Sequence, residues 1–337
     1  MNLESGFHRK FFLILTGVVI AISAALTVRF LWAFNTVNVE NASLLDKISK
    51  YINYGEIPPG LLPIDKEYEM PEKEQTRFDL LFLGIRGDDP ENPEAGNLLA
   101  DSIMVFSYDS LTKKAALISI PRDLYIKIPK TGKKEKINTA YVLGLEKRRP
   151  ISFAKELVSR VTGIYIDKVV VADFKAFEDL IKAVGGIEIY LNKPFVEGQQ
   201  WGYEFSLPQG LNTLNSEQTL YYVRSRFSSS DFDRTRRQQE VIFALKSKLA
   251  SIGLLKDPIK LNSVIKILEK NVKTDIGPLD IPKMINLSNS VSNLKISRYL
   301  ISPENLVYES HKNGAYILLT KNDSLEEIKK LFNDIIK

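Results

Sequence analysis

The sequence predicts an α/β fold: a single three-layer domain with helices packed on a central mixed β-sheet, preceded by one N-terminal transmembrane helix. Three observations carry that expectation. From Phe78 onward, apolar runs of strand length alternate with helical patterns, as they do where helices cover a sheet. The chain opens with a run from Phe11 to Val28 that carries no charge. Between the two lies a polar, proline-bearing stretch with the composition of a spacer. The expected division is residues 1–10 as a short cytoplasmic N-terminus, 11–34 as a signal-anchor helix, 35–77 as an extracytoplasmic stalk, and 78–337 as one domain.

Eighteen residues at helical rise span about 27 Å, close to the hydrocarbon thickness of a bilayer. Arg9 and Lys10 precede the run, and Phe30, Trp32 and Phe34 follow it. Basic residues before and aromatics after put the N-terminus in the cytoplasm and the rest outside, anchored to the cell membrane by a single pass. Ser23, Ala24 and Ala25 are small enough for a cleaved signal peptide, but the length of the apolar run argues against one. In the stalk, Pro58, Pro59, Pro63 and Pro71 interrupt the chain, and only Ser43 to Tyr54 has helical spacing, with Leu44, Leu45, Ile48 and Ile52 on one side.

Within the domain, DLLFLG, SIMVFSY and AALISI read as buried strands, followed by LYIKI, DKVVVAD and GIEIY. Helices are expected at Ser152 to Thr162 and at Phe174 to Val184. The second repeats Phe174, Phe177, Leu180, Ile181 and Val184 on one face and ends at Gly185-Gly186. The strand-like KISRYLIS and AYILL close the chain with a last helix, which Asp323 opens with Glu326 in capping-box position.

At 337 residues, 44% hydrophobic and 26% charged, the composition is ordinary globular material. The net charge of +5 is not gathered in one basic run, so nothing suggests nucleic-acid binding. The absence of cysteine excludes disulfides, thiolate metal sites and a cysteine nucleophile. Of two histidines, His8 precedes the apolar run and His311 sits in the polar stretch YESHKNG; neither has a partner in sequence that makes a triad or a metal site. No Walker loop or dinucleotide fingerprint is present. What remains is arginines and carboxylates at strand ends, where α/β folds place their sites.

The richest such stretch is LYYVRSRFSSSDFDRTRRQQE, Leu220 to Glu240. Arg224, Arg226, Arg234, Arg236 and Arg237 lie there within sixteen positions, with Asp231, Asp233, Gln238 and Gln239, and a Ser-rich loop splits two helix-like runs. Arginine's planar fork binds phosphate bidentately, so several converging from two helix ends make a seat for a phosphate or diphosphate. The competing explanation is a solvated, charged helix face. Against it, Arg224 and Arg226 end an aromatic-apolar run and are placed to leave the helix and point inward. Between the first two strands, GIRGDDPENPEAGNLLADSIM carries Asp88, Asp89, Glu91, Glu94 and Asp101. Hard oxygen ligands of this kind suit magnesium shared with a diphosphate, while for Glu91 and Glu94 a solvated acidic loop is the ordinary explanation. Arg122 follows the third strand in SIPRDLY, where an ion pair with Asp123 or another carboxylate competes as its role. Lys136 in KINTAY is a further candidate.

FLGIRGDD with LADSIMVFSYD, then SIPRDLYI, KINTAY, DFKAFEDLIKAVGGIEI, and GLNTLNSEQTLYYVRSR with DFDRTRRQQ resemble the successive signatures of the LytR-CpsA-Psr family. The resemblance covers about residues 78–249, in order, beneath the single N-terminal membrane helix typical of that family. It implies an extracytoplasmic phosphotransferase. Such an enzyme moves a glycopolymer, teichoic acid or capsule for example, from a polyprenyl-diphosphate carrier to a sugar hydroxyl of peptidoglycan through a phosphodiester. Its implied partners are the lipid-linked glycan, the peptidoglycan acceptor and the membrane. By the same resemblance, Arg122 matches the diphosphate-binding arginine of S-x-P-R-D, and Arg224 and Arg226 match the paired R-x-R. Arg234 and Gln238 match R-x-x-R-Q-Q, with Arg237 beside them; Lys136 matches the lysine before I-N. Asp101 matches the magnesium-associated aspartate of R-S-D-T.

The chain departs from the family at two positions. Gly84 is followed by Ile85 and Arg86 where an aspartate is usual two residues after the glycine, and Leu99 stands where an arginine usually precedes the metal aspartate. Asp88 or Asp89 would then complete the Mg2+ site with Asp101, and Arg86 would take a phosphate contact. In the mechanism so implied, Arg122, Arg224, Arg226 and Arg234 hold the phosphates while Asp233 or Asp123 orients or deprotonates the attacking hydroxyl. A binding or regulatory protein without turnover, favoured by the altered first signature, and a lipid diphosphatase, differing only in its acceptor, are the alternative functions.

Overall fold

The computed structural model describes residues 70–87, 98–129, 131–252, 264, 266, 272–291 and 294–337. The expected membrane helix and all but the end of the stalk lie outside these residues. No helix among the described residues is long and apolar enough to cross a membrane.

The central sheet grows from three consecutive strands. β1 (Arg77–Ile85) pairs antiparallel with β2 (Ala100–Asp109), and β2 pairs antiparallel with β3 (Lys114–Ser119). A small ribbon follows, β4 (Tyr125–Lys127) against β5 (Lys134–Lys136), then helices α1 (Ala140–Glu146) and α2 (Pro150–Thr162). Pro150 sits in the first turn of α2, where its missing N–H costs nothing, and Gly163 ends the helix in the left-handed region. The chain returns as β6 (Lys168–Asp173), parallel to β1, and turns directly into α3 (Phe174–Ala183), whose first turn Asp173 caps by accepting from the Ala176 N–H.

A second unit then forms beside the sheet. β7 (Ile187–Leu191) pairs with β10 (Gly210–Leu214), and β8 (Phe195–Glu197) pairs with β9 (Phe205–Leu207). Two helices follow, α4 (Ser216–Arg224) and the long α5 (Asp231–Ser251). β11 (Val272–Thr274) adds to the far side of β6. After α6 (Ile281–Val291), β12 (Ile296–Leu300) adds parallel to β3, giving the mixed order β11-β6-β1-β2-β3-β12. A hairpin of β13 (Val307–Lys312) and β14 (Ala315–Thr320) and the helix α7 (Glu326–Asp334) close the chain.

The pleat sends alternate residues to opposite faces, and both faces are covered. Leu81, Leu83, Ile103, Val105 and Ile118 join the large core with Phe153, Leu157 and Val161 of α2 and Ile328 and Phe332 of α7. Tyr108 and Ala115, of the other parity, meet Val291 and Leu287 of α6. The C-terminal elements therefore belong to the same core as β1. A second core joins Ile181 of α3, Ile187 and Ile189 of β7, Tyr222 of α4 and Val241 of α5.

Several local expectations change. LYIKI and GIEIY form strands, but in two-stranded ribbons outside the central sheet. The alternating burial of β7, with Glu188 and Tyr190 exposed, is that of a ribbon covered on one side. The last helix begins at Glu326 without a capping box: Asp323 lies in a preceding 3-10 turn at φ 51°, and the Ser324 hydroxyl accepts from the Glu326 N–H at 3.2 Å. The capping box that does form, Asn215 with Gln218 at the start of α4, is a signal that sequence reading passed over.

Candidate functional site

Strand direction brings the candidate residues to one edge of the sheet. β1, β3 and β6 run the same way and end there, and antiparallel β2 begins there. Arg86 follows β1, Arg122 follows β3, Phe174 follows β6, and Asp101 opens β2. Together with Leu99, Gln200, Val223, Arg224, Arg226, Arg234 and Gln238 they line one cavity of about 340 Å³, a size that suits a small ligand or the head group of a large one.

Local backbone features set this geometry. Gly84 pairs with Ser102 and Ile85 with Ala100, so Asp101 is the extra residue of a β-bulge; bulges re-aim a side chain at a strand end. Gly87, at φ 86°, passes so close to Asp173 that a Cβ would fall 2.6 Å from the Asp173 Cβ. Only glycine allows the chain to leave β1 by this route.

Around the cavity, Arg122 forms an ion pair with Asp101 through Nη1, and its Nε lies 3.8 Å from Asp123. Arg224 ends α4 with its guanidinium over the rings of Phe174 (4.9 Å) and Trp201 (5.2 Å). Arg234, only 5% exposed, donates to the carbonyl of Asp101 at 3.3 Å and pairs with Asp231 at 2.8 Å. Burial lowers its affinity for a proton, the carboxylates of Asp231 and Asp101 raise it, and the charges of Arg122 and Arg226 lower it. Its buried Nε has no hydrogen-bond partner, nor has Gln238 Oε1. A buried donor left unmade is costly, and an anion in the cavity is the partner that a guanidinium selects. Five arginines against one carboxylate give the wall a strong excess of positive charge.

Not every expected residue lines the cavity. Lys136 donates to Asp123 at 2.6 Å and so neutralises the carboxylate beside Arg122. Arg237 lies beneath the site: it donates through Nε to the Tyr222 carbonyl at 2.8 Å and through Nη2 to the Ser225 carbonyl and to Ser229 Oγ. Arg237, expected as a phosphate ligand, does not line the cavity; its Nε and Nη2 hold the end of α4 and the crossing after it. Asp233 also stands off the wall. It caps its own helix through Ser230 and pairs with Arg236 at 2.8 Å; burial raises its pKa, but these bonds outweigh that and hold it below the ordinary value. A carboxylate so engaged is a poor proton acceptor. Asp231, the neighbour that sequence reading passed over as a base, does not line the cavity either but pairs with the wall residue Arg234 at 2.8 Å, and its pKa moves the other way. Burial pushes its pKa up against the charges of Arg234, Arg122 and Arg226. Its spacing of three from Arg234 was the available signal.

Asp88 and Asp89 lie outside the described residues, and among those residues no cluster of three or more potential metal ligands occurs. Asp101 nevertheless fits magnesium in kind: one carboxylate on the wall of an arginine-lined, anion-binding cavity is what an ion needs that takes its other oxygens from phosphate and water. The two departures from the family pattern, Arg86 and Leu99, are both on this wall.

Comparison with known proteins places the chain in a family. The model of the LytR_cpsA_psr family matches residues 56–334. The chain is 31% identical over 232 residues to the polyisoprenyl-teichoic acid–peptidoglycan teichoic acid transferase TagU of Enterococcus faecalis, covering 66% of this chain and 72% of that one. To the regulatory protein MsrR of Staphylococcus aureus it is 30% identical over 274 residues, covering 80% and 78%. The crystal structure of B. subtilis TagV superposes with a TM-score of 0.60 at 28% identity, covering 78% of this chain and 98% of that one.

Proposed function

Because this chain belongs to the LytR-CpsA-Psr family, we propose that it is a cell-envelope glycopolymer transferase, anchored in the membrane by residues 11–34, with its domain outside. It takes a glycan from a polyprenyl-diphosphate carrier and joins it to a peptidoglycan sugar. The observation that carries this reading is the cavity wall itself, on which Arg86, Arg122, Arg224, Arg226 and Arg234 surround Asp101.

The chemistry follows from those residues. A lipid-linked diphosphate brings two negative charges into a site that holds five guanidinium groups, and their forks orient both phosphates. An acceptor hydroxyl attacks the phosphorus next to the glycan. The new P–O bond forms as the P–O–P bridge breaks, polyprenyl phosphate leaves, and a phosphodiester remains. The hydroxyl proton needs an acceptor, and Asp231, paired with the wall residue Arg234, takes that role in preference to Asp233. Asp101, with Asp88 or Asp89, would hold magnesium, which when bound neutralises phosphate charge.

The test gives the purified protein a labelled polyprenyl-diphosphate glycan and peptidoglycan fragments, with and without magnesium. Label should move to the fragments, and Arg224→Ala should lower the rate by about 100-fold, the usual loss of one group that stabilises transition-state charge. Label released to water would identify a diphosphatase. Lipid bound with nothing transferred would identify a binding protein.

A further inference from the structure

Between α4 and α5 the chain crosses Ser225 to Ser230 without regular structure, and this crossing carries Arg226 and the end of Arg224's helix. What holds it is the turn between β8 and β9. The side-chain amide of Gln200 donates through Nε2 to the Arg224 carbonyl at 3.0 Å and accepts through Oε1 from the Arg226 N–H at 2.7 Å. One side chain thus fixes the backbone on both sides of Ser225. Trp201 Nε1 donates to Ser225 Oγ at 3.3 Å, while its ring stands against the Arg224 guanidinium. Behind them Glu197 is completely buried. Its carboxylate accepts from the Ser228 N–H at 3.1 Å and hydroxyl at 2.7 Å, and from the backbone N–H groups of Gln199 and Gln200 at 3.2 and 3.4 Å. Burial alone would raise its pKa; these bonds outweigh burial and lower it, so a fixed charge ties the turn to the crossing.

We propose that the β8–β9 turn is a clamp that holds Arg224 and Arg226 in their diphosphate-binding arrangement before ligand arrives, with Gln200 and Glu197 as its positioning residues. The inference rests on the reading of the cavity as a diphosphate site. Its physical basis is preorganisation: ordering two long side chains and an irregular segment at the moment of binding costs affinity, and a segment already ordered avoids that cost. Gln200 does this from the cavity wall, while Glu197 does it from behind without touching ligand.

The test measures binding of inorganic pyrophosphate to the full chain by calorimetry, beside melting temperature, for Gln200→Ala, Glu197→Gln, Arg226→Ala and the double variant Gln200→Ala/Arg226→Ala. The expected result is about tenfold weaker binding for Gln200→Ala with its melting temperature within about 2 °C of the parent. The double variant should bind about as weakly as Arg226→Ala with only a small further loss, because residues that act through one another are not additive. Glu197→Gln should weaken binding in the same sense, and if it fails to fold, Ser228→Ala removes the hydroxyl half of the same link. Parent-like binding by Gln200→Ala while Arg226→Ala loses binding would overturn the clamp and leave the site intact. Parent-like binding by Arg226→Ala as well would overturn the diphosphate reading itself, and fully additive losses would make Gln200 an independent ligand.

Discussion

The two aspartates at the start of α5 show how much one helical position decides. Asp233 faces Ser230 and Arg236, whereas Asp231 turns to Arg234 and lies under the charges of Arg122 and Arg226. A base acts only when ionised, and burial raises the pKa of Asp231. The acid limb of the pH–rate profile should therefore lie above the ordinary carboxylate value of about 4. Asp231→Asn should abolish that limb and lower the transfer rate by about 10²-fold or more, as a pH series of the labelled-transfer assay would read. Stability should move the other way. The contribution of a carboxyl with a raised folded pKa is present below its unfolded pKa and lost as pH rises through the folded one. At neutral pH the ionised carboxylate thus costs the folded state relative to its protonated form, and thermal melts of the parent across pH should read that contribution lost as pH rises through the folded pKa. Arg224, Arg226 and Arg234 were legible in the sequence because guanidinium groups gathered between two helix runs suit an anion, although Arg236 and Arg237 of the same stretch serve elsewhere. Which carboxylate serves them was not, because both aspartates satisfy the same local pattern.

At the scale of elements, α5 does two tasks with neighbouring residues. Arg234 and Gln238 line the cavity, while Arg237 ties α5 to the end of α4, and Gln239, 5% exposed, donates to Ser119 Oγ at 2.8 Å and to the Tyr299 carbonyl at 3.1 Å, joining the helix to the sheet. Arg237→Ala would leave the carbonyls of Tyr222 and Ser225 without this donor in a buried place. Chemical denaturation should register a loss of about 2–4 kcal/mol, the cost of unmaking more than one buried bond to a charged group. Arg236→Ala on the exposed side, whose ion pair with Asp233 is half-exposed, should change stability by under about 1 kcal/mol. The strands and helices that reach this site were readable from periodicity. The bulge at Asp101 and the turn at Gln200 were not, since neither follows from apolar spacing.

For the whole molecule, the decisive fact is that four strand ends meet at one sheet edge and that a separate aromatic-lined unit, β7 to α5, closes over them. On the proposed reading, the charge-free run from Phe11 to Val28 holds that edge outside the membrane it anchors. Full-length protein expressed in a bacterial cell should sediment with membranes and resist extraction by high salt, while a chain lacking residues 1–34 should be soluble, as fractionation and immunoblotting would read. From the sequence alone came the alternation of strands and helices, the family's ordered motifs and the concentration of arginine, because each is local: period, spacing and residue type survive without coordinates. Only the tertiary structure decided which ribbons stand outside the central sheet, that Arg237 and Lys136 support the cavity wall rather than form it, and that Asp231 rather than Asp233 faces the arginines. Those outcomes depend on the direction of each side chain against residues far away in the chain, such as Asp101 against Arg122 and Gln200 against Arg224, and no local pattern carries that information.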